Sequence, residues 1–500
     1  MLDPHSAPLT LADARHALRR CGFGAEPSKA TKWVGRTATE FADAMIKEAM
    51  ALPLPPPPSW ADTAVPGEDT SPNQNFLFLE GNRDWLLDYR TKWVGRMATG
   101  GLAERMALVW HNHFVTGVEK YVYAAYAYRY LTMLRTHAQG NFKEFVHAVG
   151  TDPSMLIYLD GRESVAGSAN ENYARELLEL FTMGSAGPDG TANYTEKDIR
   201  EIARALTGWV VSPTTLTAGF VPERFDSSEK EFFGRKGAFD YDDVIDILFE
   251  ERGHQIAHFV CRYLYESFVS ANLDPEVVSE MATQFVASNF EIAPVMKTLM
   301  ASAHFFDPGV RGVKIKSPVD YGLSLFVDMG ITEIANTLLL YRRASELGQE
   351  LFNPPDVNGW PGHFTWINTT TLPYRSLLSE TYFSGRGGGV PDLRPMAESL
   401  SDAGAPDAVF RLPTAIVENL LPLAPELLDF PEPDGPFGGN LESHPVPAWL
   451  DQAPPHVRSL AKIFLGGAPW YEWSLSHEGA NSRLVGFVTF IAKYPEFHLM

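Results

Sequence analysis

The chain has 500 residues, 45% of them hydrophobic and 21% charged, a globular balance with length for roughly two to four domains. A formal net charge of −21 without any Lys/Arg run repels phosphate, so no nucleic-acid partner is expected. Two cysteines, Cys21 and Cys261, exclude a disulfide framework and a paired-cysteine metal knuckle, and both read as small buried apolar residues.

Thr10 fits the N-cap of a helix over residues 11–20, where Leu and Ala recur at helical spacing until Cys21-Gly22-Phe23-Gly24 stops it. A second helix is expected over 39–50. Pro53, Pro55, Pro56, Pro57 and Pro58 then force an extended segment. Helical periodicity returns at 82–97, 103–114, 121–139, 142–149, 170–183 and 196–209. After a polar loop it resumes at 241–249, 254–268, 275–288, 292–302, 318–329 and 331–347. Strand signals are sparse. From about residue 354 Gly, Pro and Trp become frequent, and residues 431–439 are a loop by composition. The expected fold is mainly α, a large multi-helix globular domain over 1–380, with an irregular, Pro/Gly-rich C-terminal region over 381–500 packed on it. No apolar stretch of about 18 residues exists, so no membrane span is expected. The first residues carry no basic segment followed by an apolar one, which gives a cytoplasmic expectation for the chain as given. Residues 31–39 recur almost unchanged at 91–99, differing only where Thr37 becomes Met97, while the flanks do not match.

Three stretches concentrate polar groups on apolar frameworks. In Trp110-His111-Asn112-His113-Phe114 the two histidines lie two apart, so they point about 200° apart on a helix unless the helix ends between them. Either one packs beside Trp110 and the other meets solvent, or the helix end brings them to a site. In residues 170–184, Glu171, Arg175 and Glu179 are spaced for ion pairs, and Glu176 and Glu179 are neighbours among Leu177, Leu178, Leu180 and Phe181. Buried carboxylates must be paired, protonated or metal-bound. A structural lattice with Arg175, Arg200 and Arg204 and a functional carboxylate cluster both meet that demand; the Glu-x-x-His pair of di-iron bundles is absent. The third stretch, residues 348–362, is a Pro- and Gly-punctuated loop holding Asn358 and Trp360, with His363 and Trp366 after it. Phosphate-loop, nucleophile-elbow, zincin and dinucleotide fingerprints are all missing.

Together with Met155–Gly161 and the run Tyr194–Glu201 into Ala203–Trp209, these stretches closely resemble the large bacterial family known as domain of unknown function 1800, over about residues 10–380. The resemblance implies members that are often exported and often encoded beside a sulfatase-like or phosphatase-like protein, which makes a sulfatase-like protein the candidate partner. It supplies no established catalytic residues. The resemblance implies His-Asp before a Lys in the loop after the Trp in most relatives; this chain has Phe225-Asp226, then Lys230 and Gly234.

The expectation is a single buried polar cluster of His111, His113, Glu171, Arg175, Glu176, Asp198, Arg200 and Arg204, with Lys230, Asn358 and Trp360 as further binding candidates. As an enzyme, the chain would use a His as base and a Glu as acid or ligand, with reaction and substrate unassigned. As a non-catalytic binding or scaffold partner, the same charges would be structural. The three arginines compete with a cation for the carboxylates, which argues against a bound metal; no cofactor is identified.

Overall fold

Helix starts are fixed by side chains that satisfy the first free backbone N–H groups. Thr10 with Asp13, Thr37 with Glu40, Ser71 with Gln74, Thr195 with Asp198, Asp240 with Asp243 and Ser317 with Asp320 each form a capping box. The computed structural model describes residues 2–67, 70–384, 389–402, 405 and 407–500. Among them are twenty α-helices and only two two-stranded antiparallel hairpins, so the fold is mainly α. No described helix is long and apolar enough to cross a membrane.

The organising element is the long helix Pro72–His113, broken at Gly101 by a non-helical backbone (φ 50°, ψ −132°). The first rod begins ten residues before the apolar periodicity does, because Ser71 caps it. The second rod is buried on all sides. Met106, Val109 and Trp110 enter one hydrophobic core, with Ala107 and Leu108 in another. The first core gathers Leu11–Cys21, Ala38–Ala51, Phe142–Gly150, Tyr241–Phe268, Pro275–Ala287 and Ile292–Ala301. The second gathers Pro318–Val327, Thr337–Glu346 and the C-terminal helices Thr371–Phe383, Ala408–Leu420, Pro455–Leu465 and Ala480–Ile491. Residues beyond 380 therefore build helices into the same core as Trp93 and Phe352.

Several local expectations change. The helix Tyr241–Phe268 runs through Gly253 without a break. Val122, at φ 62°, divides Val118–Tyr121 from Ala124–His137. The polar loop after residue 205 holds the hairpins Trp209–Ser212 with Thr217–Phe220 and Lys230–Phe232 with Arg235–Gly237. The Glu-rich helix is α-helical only over Asn172–Glu176 and continues as a π-helix, Leu177–Thr182. That wider turn releases the Phe181 carbonyl, which His113 takes up.

Candidate functional site

A cleft with a cavity of about 310 Å³ opens where the two cores part. Its walls are Arg105, Val109 and Asn112 from the second rod, Tyr263, Glu266 and Ser267 from Tyr241–Phe268, Lys314 and Asp320, and the loop carrying Asn358, Trp360 and His363.

The loop is pinned by the helix end it crosses. The Asn112 side chain accepts from the Trp360 N–H at 2.7 Å and donates to the Trp360 carbonyl at 3.2 Å. Gly359 must be glycine: φ is 81°, and a Cβ there would stand 2.5 Å from Asn112 Oδ1. His111 accepts from the Phe352 N–H at 3.2 Å and stacks on Trp360 with ring centroids 5.4 Å apart. Asn112 and His111 thus join the first and third sequence stretches into one wall. The Trp360 indole N–H is buried without a partner among the described residues.

At the floor, Arg105 pairs with Asp320 at 2.5 Å and donates to the Gly22 carbonyl. Burial pushes the Asp320 carboxyl up, but Arg105 and the Ser317 hydrogen bonds outweigh it and hold it below its ordinary range. Lys314 is set by backbone hydrogen bonds with Met500 in both directions, and its ammonium donates to the Glu266 carbonyl. It has no ion-pair partner among the described residues. Burial, then Arg20 and Arg105, lowers its amine to about 7. His363 follows Gly362 in left-handed backbone, φ 50° against the usual negative value, a strained placement that brings an imidazole to the cleft. Burial and then Lys314 lower its pKa below the ordinary histidine value.

The expected single cluster does not form. His111 and His113 are buried on different sides of the rod, as their spacing requires. His113 donates to the Phe181 carbonyl at 2.9 Å and packs against Tyr263. Burial holds His111 down at about 3 and His113 at about 4, so both are neutral at neutral pH. Arg175 makes a two-pronged contact with Glu196 at 2.9 Å and a longer one with Glu171, at a solvent-facing edge. Glu176 is half-buried, its carboxyl raised by burial and by Glu179. Asp198 caps its own helix and accepts from the Phe233 N–H. Arg200 is exposed. Arg204 pairs with Asp226 and Glu201. Lys230 donates to the Asp226 carbonyl and lies over Phe225. Helical spacing puts residues on one face, but it does not say which face meets solvent, and that separates these eight. Among the described residues no three His, Cys, Asp or Glu side chains are arranged to hold a metal ion.

Asn358 and Trp360 do line the cleft. In sequence His363 stands out only as following the loop of residues 348–362, and Lys314, Arg105 and Asp320 do not stand out. The available signal was Lys314-Ile315-Lys316-Ser317-Pro318, two lysines on an extended segment that runs straight into a capping box, where buried charge has no local partner.

No curated protein and no solved structure matches the chain. A family model described as Protein of unknown function (DUF1800) matches residues 16–468, nearly its whole length, and the chain belongs to that family.

Proposed function

We propose that the chain is an enzyme whose reaction runs in this cleft, with Lys314 as the amine that takes and returns a proton and His363 as a second proton carrier beside it. One observation carries the reading: a buried lysine with no carboxylate partner shares an open cavity with an imidazole on left-handed backbone. An amine near half-protonation at neutral pH serves as base or nucleophile, which a lysine of ordinary pKa does not. The Arg105–Asp320 pair supplies a fixed dipole at the floor, and Trp360 and Asn358 bound a space for a substrate of roughly ten water-sized groups. His111 and Asn112 act as positioning residues, through Trp360.

The test is trapping. The intact protein is treated at neutral pH with glyoxylate and cyanoborohydride, which alkylate unprotonated amines, and the sites are mapped by mass spectrometry. Lys314 is expected to react several-fold faster than exposed lysines such as Lys236. Modification of exposed lysines with Lys314 untouched would overturn the proposal.

A second reading, a non-catalytic partner of a sulfatase-like protein, is favoured by Phe364. This side chain stands next to His363 and is 83% exposed, unusual for a large apolar residue. Under that reading Phe364→Ala weakens capture of the partner and leaves the reactivity of Lys314 unchanged.

A further inference from the structure

A second cavity, about 430 Å³, lies on the other side of Met500, which lines both. Its walls are apolar, with Leu11, Leu421, Leu423 and Pro425 among them, and the exposed Leu427 also lines it. Three arginines reach it from behind. Two are neutralised: Arg19 by Asp328 at 3.4 Å and Arg311 by Asp13. The third, Arg15, is only 6% exposed and has no ion-pair partner among the described residues. One of its terminal nitrogens donates to the Glu418 carbonyl at 3.1 Å, and its Nε is buried without a partner. Burial, then Arg19, lowers Arg15 to about 10, with Glu418 and Asp328 opposing from beyond ion-pair contact, which still leaves it charged at neutral pH. The carboxylates of the lining, Glu418 and Glu426, are exposed, and neither is in ion-pair contact with Arg15. His16, buried and donating from Nε2 to the Phe305 carbonyl, is held well below the ordinary histidine pKa by burial and Arg20, so it adds no charge.

A buried guanidinium with no carboxylate in contact is costly, and the cost is relieved by an anion that also fills the apolar walls. Among the described residues Arg15 is the one lining arginine without an ion-pair contact, so a singly charged head group matches it and a divalent phosphate does not. At ~30 Å³ per water-sized group, the space takes about a dozen non-hydrogen atoms. We propose that this cavity binds an amphiphilic monoanion, a carboxylate on a medium-length aliphatic chain, with the carboxylate on Arg15 and the chain along Leu421 and Leu423. The carboxylate meets the Arg15 guanidinium in a charge-assisted hydrogen bond, and the chain displaces water from the apolar wall.

The experiment is calorimetric titration of the intact protein with sodium decanoate, 1-decanol and decylamine. Decanoate is expected to bind one-to-one and about tenfold or more tighter than either of the others, since only it pairs with the guanidinium. Arg15→Met should remove that preference. Because Arg15 is buried, a second variant guards against misfolding: Ala12→Trp, on an exposed lining residue, should block the cavity and abolish binding with thermal stability unchanged. Equal binding of decanoate and decylamine, or undiminished decanoate binding by Ala12→Trp, would overturn the proposal.

Discussion

Around His113 almost every polar group of the motif closes on a neighbour. The imidazole meets the Phe181 carbonyl, Trp110 donates to the Ala138 carbonyl at 2.8 Å, Phe114 and Phe142 pack against both rings, and Phe145 packs against Trp110. Around Lys314 the balance is different. The ammonium has a carbonyl but, among the described residues, no carboxylate in ion-pair contact; two arginines press on it, and open space lies in front. Both regions look chemical in composition. The difference teaches that density of ionisable residues marks packing as readily as reaction, and that charge left uncompensated beside a cavity is the more discriminating sign.

The comparison is broken most sharply by Trp110→Ala. If the His113 region is structural, removing this fully buried indole costs about 3–5 kcal/mol in urea unfolding, while trapping at Lys314 in the folded fraction is unchanged. A smaller effect of opposite sign is expected for Lys314→Met. The folded amine titrates near 7 and an unfolded lysine near 10.4. Between those values the unfolded chain holds more protons, so stability of the parent climbs as pH rises through the window. The burial cost is full below about pH 7 and gone above about 10.4. Lys314→Met should therefore be more stable than the parent at neutral pH, with a shallower climb; Lys316, also lowered to about 7, retains part of the slope. Urea midpoints at neutral and alkaline pH check both points. Next in size, His113→Phe leaves the Phe181 carbonyl without its donor, a loss of about 1–3 kcal/mol. Smallest, Arg175→Ala breaks only solvent-facing pairs and should leave the urea midpoint where it is.

Much of the fold was legible because helix periodicity and capping are local. The limit shows in the near-repeat. Residues 31–39 and 91–99 share eight of nine residues, yet the first copy ends a helix at Trp33 and turns through Gly35 at φ 80°, with Val34 47% exposed. The second runs unbroken within the first rod of Pro72–His113, before the break at Gly101, with Val94 2% exposed and Trp93 donating to buried Glu104. Identical local preferences yield to different partners: the Gly35 N–H goes to the Leu9 carbonyl, whereas Gly95 packs near Thr337. The site failed to show for the same reason. Asn358 and Trp360 lie in a recognisable loop, but Lys314 acquires its character from Arg20, Arg105 and Glu266, which only the tertiary fold brings to it.

The central claim is that Lys314 is an amine free to exchange its proton near neutral pH. Trace acetylation with acetic anhydride from about pH 6 to 11, read peptide by peptide against an unfolded-protein standard, measures that directly. A half-titration of Lys314 near 7, with exposed Lys236 held above the ordinary lysine value by its hydrogen bond to Glu229, is the predicted result. A Lys314 that titrates with the exposed lysines, or resists acetylation throughout the range, would contradict it.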